Sequence, residues 1–435
     1  MKTRRSVRGF RVVRTLAGFT EYRYERNGLT VLHCCDDTAP VAGLMVTYLV
    51  GSRDEAVGYT GATHLLEHLM FKGSRRFPPR RGVSVLDAFS EKGALVNAST
   101  WFDRTNYYEV MPDEHLAFAM ELEADRMRHA LITEKDRANE MPAVLSEYAM
   151  RVENDPQEYL DEHVWANAFM AHPYHHPTIG WHDDFTNVST ERLLHFYNTY
   201  YWPNNAVVSV VGNVEAEQAL TLVAKHFGVH PRSPHPIPSV YTSEPPQQGK
   251  RFVEVSRAGT KQVVCVAYKV PAALHDDTPA LEALEHILVG GTTSRLYRAL
   301  VETRHCVDVH STYMPLRDPS LLPLVATLSE GVKHEAVEGV IRKECARVVA
   351  EGVSVEELAR VRAQLQVAAA CARDGHYATL SVLNEAIAVG DWRFFFSLPA
   401  LIARLTPEDI RRVAARYLVD TGITVGYYRA RSPTP

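Results

Sequence analysis

The stretch GATHLLEHLMFKGS, residues 61–74, and the stretch TPALEALEHILVGG, residues 278–291, lie in opposite halves of the chain and read alike. Laid over one another, Glu67 meets Glu285 and His68 meets His286, while His64 faces Glu282. Each carries leucines at helical spacing and runs into glycine, so each predicts an amphipathic helix, the first extending to Gly73. Each is preceded by β-branched runs that alternate as strands do: LTVLHCCDD and VAGLMVTYLVGS before the first, KQVVCVAYKVPA before the second. The same order occurring twice predicts an internal duplication. The expected fold class is α+β: two similar domains, each a mainly antiparallel sheet with helices packed on it.

Between the halves, PRSPHPIPSVYTSEPPQQGK (residues 231–250) holds six of the 24 prolines. Proline fixes φ and removes a backbone donor, so this run reads as a linker outside both domains. The expected division is a basic N-terminal arm over 1–14, a first domain over 15–230, a linker over 231–249 and a second domain of similar fold over 250–435. The chain has 435 residues, 46% hydrophobic and 23% charged, a balance that builds packed domains and excludes a largely disordered chain. A net charge of -5 supplies no global positive field for nucleic acid or an anionic membrane. Six scattered cysteines without a C-x-x-C pair fit neither a disulfide framework nor a thiolate zinc knuckle. The basic start has no apolar run of secretory type behind it, and nowhere do ~18 apolar residues follow one another. No membrane span is expected, and the cytosol is expected over the periplasm.

His64, Glu67 and His68 spell H-x-x-E-H. Residues four apart share one face of a helix, so both imidazoles reach a single ion, with Glu67 beside it. A catalytic zinc takes three protein ligands and keeps a fourth position open. The best source of the third is the stretch EKDRANEMPAVLSEYAMRVENDP (residues 134–156), where Glu140 and Glu147 are seven apart and so two turns along one face. Glu147 is expected to ligate and Glu140 to buttress.

With these pieces assembled, the chain resembles the pitrilysin/insulinase family of inverted zinc peptidases, in its form of one two-domain subunit like those of mitochondrial processing peptidase. The resemblance covers nearly the whole sequence. Its blocks are GSRDE (51–55), HLLEHLMFKGS (64–74), NASTWFDRTNYY (97–108), Glu140 with Glu147, HPYHHPTIG (172–180), YYWPNNAVVSVVGN (200–213) and GGTTSRLY (290–297). It implies one zinc per chain on His64, His68 and Glu147, Glu67 as general base and Glu140 as a group supporting the ligands. It also implies an edge strand near Asn97 and Ala98 that pairs with the backbone of short or unfolded peptides. Pro173 and Pro177 break any helix around His172, His175 and His176, so these three are expected to be structural.

One departure bears on activity. Many relatives carry an Arg and a Tyr seven positions apart just after the SRLY-like block, where they bind substrate and steady the developing oxyanion. Here Val301 and Asp308 occupy those positions, leaving Arg304 or Tyr313 as substitutes only if a loop has shifted. The resemblance therefore implies a zinc endopeptidase that is the zinc-bearing subunit of a heterodimer, its similar partner bringing the Arg/Tyr pair, or a homodimer. The alternative is a catalytically silent structural or assembly subunit of the same family.

Overall fold

The computed structural model describes residues 7–79 and 84–431. The first sheet contains β1 (Phe10–Leu16), β2 (Phe19–Tyr24), β3 (Thr30–Cys35), β4 (Val41–Tyr48), β5 (Leu95–Thr100), β6 (Thr105–Pro112) and β7 (Ala206–Gly212), in the order β1-β2-β3-β7-β4-β6-β5. The second contains β8 (Arg251–Ala258), β9 (Val263–Val270), β10 (Cys306–Ser311), β11 (Ser320–Leu328) and β12 (Ile423–Arg431), in the order β10-β11-β9-β12-β8. Read from β3 and from β8, the two sheets run alike. A parallel pair (β3 with β7, β8 with β12) is followed by three antiparallel pairings, ending on an edge strand, β5 or β10. The duplication read from the two helices extends to sheet order and strand direction, and the mixed α+β class follows directly.

The chain forms two compact units that alternate along the sequence: unit 1 is Met1–Val144, Pro177–Tyr241 and Ala372–Arg393, and unit 2 is Leu145–His176, Thr242–Cys371 and Phe394–Pro435. The boundaries differ from the sequential division expected above because each half gives a helix to the other half's sheet. Helix Pro156–Ala168 packs on β8, β9 and β12 of unit 2, and helix His376–Ala388 packs on β4, β6 and β7 of unit 1. Each seat is opened by a glycine. A Cβ on Gly426 would lie 2.5 Å from Val164 Cγ2, and one on Gly43 2.7 Å from Leu380 Cδ1. The segment 231–249 carries no helix or strand, but its first part, to Tyr241, belongs to unit 1. Residues 1–6 of the expected basic arm lie outside the described residues. The rest is not a free arm, because Phe10–Leu16 pairs antiparallel with β2.

On helix Pro156–Ala168, Asp161 Oδ1 and Glu162 Oε2 are buried without a hydrogen-bond partner among the described residues. Burial, with the Glu158 charge adding at Asp161, pushes both carboxyls up to about 7. The folded protein therefore keeps protons that the unfolded chain, with carboxyls near ~4, has released. Stability is expected to fall as pH rises from about 4 to about 7 and to level off above. Asp161→Asn with Glu162→Gln should flatten that slope and add about 1–3 kcal/mol at pH 8, read from denaturant unfolding against pH.

Candidate metal centre

The H-x-x-E-H residues lie on helix Ala62–Leu69, which ends one turn before the expected Gly73. Its start is set by Gly61, at φ 84, where a Cβ would lie 2.3 Å from the Ile179 carbonyl oxygen. The orphan N–H groups of that first turn are taken by a side chain from the preceding segment: Gly61 N and Thr63 N each donate to the Glu55 carboxylate at 2.7 Å. Leu65, Leu66 and Leu69 are fully buried, and, unusually for polar groups, His64 and Glu67 are nearly so, at 8% and 9% exposure. A helix enclosed on nearly all sides holds its imidazoles in fixed directions.

One donor atom each from His64, His68 and Glu147 come together within 4.8 Å of one another. Glu147 stands near the end of helix Glu134–Tyr148. The same helix carries Glu140, which lies beside His68. A single π-helical turn, Ala149–Glu153, follows at once, and Arg151 pairs with Glu147 at 3.0 Å. The donor set fits zinc: two imidazoles and a carboxylate are the ligand types a catalytic zinc takes, and here they face one another across a gap that a single ion can span.

His68 Nδ1 bonds Glu140 Oε1 at 2.9 Å, which leaves Nε2 for the ion and sets the ring's orientation. Glu140 also pairs with Lys72. Partial burial alone would raise the Glu140 carboxyl, but the hydrogen bonds and charges of Lys72 and His68 outweigh it and hold Glu140 below the ordinary glutamate value. Glu140→Ala is expected to weaken zinc binding about 10- to 100-fold, measured by competition with a chelator of known affinity.

Glu67 accepts a hydrogen bond from Thr100 Oγ1 at 2.7 Å. Thr100 ends β5, the edge strand that also carries Asn97 and Ala98 and pairs with β6 alone. The Ala98 N–H donates to Asn97 Oδ1 at 2.9 Å. The structure thus gathers His64, His68, Glu147, Glu67 and Glu140, and puts Asn97 and Ala98 on the strand that touches the same helix. Sequence reasoning assigned no role to Glu55, Lys72 or Thr100. Glu55 lies six residues before Gly61, outside the N-cap and N3 positions that mark a helix start in sequence. Thr100 had no local signal.

The histidines of 172–176 hold a turn. His172 is buried with Nε2 at 3.0 Å from Asp318, and His175 Nδ1 lies 3.0 Å from the His172 carbonyl. In unit 2, His286 pairs with Glu285 at 2.7 Å. Val301 closes a π-helical turn, exposed Asp308 on β10 pairs with His310, Arg304 is exposed in a turn at φ 62, and Tyr313 packs against the unit's hydrophobic core.

The family model described as "Insulinase (Peptidase family M16)" matches residues 30–181, and the one described as "Peptidase M16 inactive domain" matches residues 187–365. The "Zinc protease PqqE" of Helicobacter pylori is 30% identical over 93% of this chain and 91% of its own length. This chain belongs to the M16 peptidase family. A second relative, the "Uncharacterized zinc protease SCO5738" of Streptomyces coelicolor, is 29% identical over 84% of this chain and 80% of its own. Among solved structures, a protease from Helicobacter pylori superposes with a TM-score of 0.88 at 30% identity, covering 93% of this chain and 97% of that one. Pitrilysin superposes at 0.79 and 18% identity, covering 98% of this chain and 47% of its own, and so shares the M16 fold. The relatives' names support zinc as the metal of such a donor set.

Proposed function

We propose that the chain is a zinc-dependent endopeptidase that hydrolyses short or unfolded peptides, with one zinc on His64, His68 and Glu147. The observation that carries this reading is the convergence of the three donor atoms within 4.8 Å, with the buried Glu67 carboxylate one residue from a ligand. A bound zinc would supply Lewis acidity and lower the pKa of a water it holds to about 7. Glu67 accepts the proton of the attacking water and returns it to the leaving amine. Glu140 keeps His68 in one tautomer and orientation. Asn97 and Ala98 offer an open strand edge to an extended peptide, which reads backbone more than side chains.

The absence of an Arg/Tyr pair at Val301 and Asp308 favours a division of labour: this chain brings the metal, and a similar subunit brings the groups that steady the oxyanion. The same absence also supports a second reading, a subunit that keeps the fold without turnover. Metal analysis and peptide cleavage, alone and with a similar chain from the same organism, separate them. The first reading expects about one zinc per chain, weak cleavage alone and strong cleavage with the partner. A chain that is metal-free and inert in both conditions is a scaffold, and full activity from a verified monomer removes the need for a partner.

A further inference from the structure

Glu67 needs more than proximity to act as a base: one carboxylate oxygen must be fixed and the other left for water. Glutamate has three side-chain torsions, and among the described residues Glu67 receives a single direct hydrogen bond, from Thr100 Oγ1 to Oε2 at 2.7 Å. Both partners are buried, Thr100 at 8% and Glu67 at 9% exposure, so no bulk water replaces the hydroxyl. Threonine is β-branched and stiff at χ1, which makes it a directional donor.

The backbone behind that hydroxyl is bracketed. Arg104 Nη1 donates to the Ser99 carbonyl at 2.9 Å, Trp101 N donates to the Arg104 carbonyl at 2.9 Å, and Ser52 N donates to the Trp101 carbonyl at 3.1 Å. Arg104 is itself anchored, its Nε lying 3.1 Å from Glu385 on helix His376–Ala388. Thr100 and Ala98 are two apart in β5 and both buried, so they share the face turned to the motif helix.

We propose that Thr100 is a positioning residue for the base, making the edge strand and Glu67 one rigid element. Strand β5 then has two tasks in one backbone: its open edge presents Asn97 and Ala98 to a peptide, and its last side chain aims the carboxylate. This inference rests on the endopeptidase reading for its kinetic consequence, while its geometric content stands apart from it.

The test is Thr100→Val, with Thr100→Ser as the conservative variant and Thr100→Ala should valine not fold. In the zinc-loaded protein, Thr100→Val should lower kcat about 10- to 100-fold with KM and zinc content near wild type, and Thr100→Ser should restore most of it. In a Glu67→Asp background, whose shorter side chain no longer reaches Thr100, the valine substitution should add no further loss. A crystal structure of Thr100→Val should show the Glu67 carboxylate displaced or in several positions. An unchanged kcat, a serine variant as impaired as valine, or a carboxylate still in place would each overturn the proposal. If the wild type cleaves nothing either alone or with a similar partner chain, the endopeptidase reading fails, and the carboxylate position in Thr100→Val still decides whether Thr100 places Glu67.

Discussion

Glu67→Gln should lower kcat/KM by about 10²- to 10⁴-fold while zinc stays near one per chain. Glutamine has the same shape and still offers a carbonyl oxygen to Thr100 Oγ1, so packing at this buried position is kept. What is lost is basicity: the amide takes no proton from the attacking water and has none to return to the leaving amine. The matched controls are His68→Ala and Glu147→Ala, which remove donor atoms of the group and should lose metal and activity together. Metal analysis beside steady-state cleavage of an unstructured peptide distinguishes the two outcomes. A Glu67→Gln variant that still cleaves at wild-type rate would remove Glu67 from the mechanism, and with it the assignment of roles within H-x-x-E-H.

Arg126→Met should destabilise the protein by about 3–5 kcal/mol, the largest loss expected from a single side chain here. Arg126, on helix Leu116–His129, is 1% exposed, with Nε 3.0 Å from Glu123 Oε2 and Nη2 3.3 Å from Glu109 Oε1 on β6. Its guanidinium also lies over the Tyr107 ring, 4.3 Å from the centroid. Burial alone would lower the guanidinium pKa, but Glu123 and Glu109 outweigh it and hold Arg126 charged. Burial, followed by the Glu123 charge, drives the Glu109 carboxyl well above its ordinary value. Removing the one cation between two enclosed acids leaves their desolvation uncompensated. The triple substitution Arg126→Met, Glu109→Leu and Glu123→Leu should recover most of the loss, because no buried charge then remains. Denaturant unfolding of the three proteins tests this, and a single variant within about 0.5 kcal/mol of wild type would show that water reaches the cluster.

The motif helix shows how far local pattern reaches. The i, i+4 spacing of His64 and His68 puts both imidazoles on one face wherever the helix packs, so the metal reading required no tertiary information. The spacing of Glu140 and Glu147 likewise put two carboxylates on one face of the helix Glu134–Tyr148. That this helix lies beside the first one was expected from the need for a third ligand and from the family resemblance, but its geometry, with Glu140 2.9 Å from His68, was visible only in the fold. Gly73 misled the reading of the helix end: its φ of 121 serves a turn against the Phe77 carbonyl, beyond Leu69 where the helix stops. The N-terminal arm misled in the same way, because basic residues recurring every few positions read as solvated whether or not the backbone between them pairs with a neighbour, as it does over Phe10–Leu16.

What the sequence determined by itself is what repeats or spaces along the chain: the α+β class, the duplicated halves, the proline-rich connection and the H-x-x-E-H helix. These depend on periodicity and backbone preference, which act within a few residues. Only the tertiary structure decided which sheet each helix joins, since Gly43 and Gly426 lie far in sequence from the helices they seat. It alone placed Thr100 against Glu67, 33 residues apart, and Glu140 against His68, 72 apart. A hydrogen bond between such positions leaves no trace in local pattern, because its geometry is set by how sheet and helix pack.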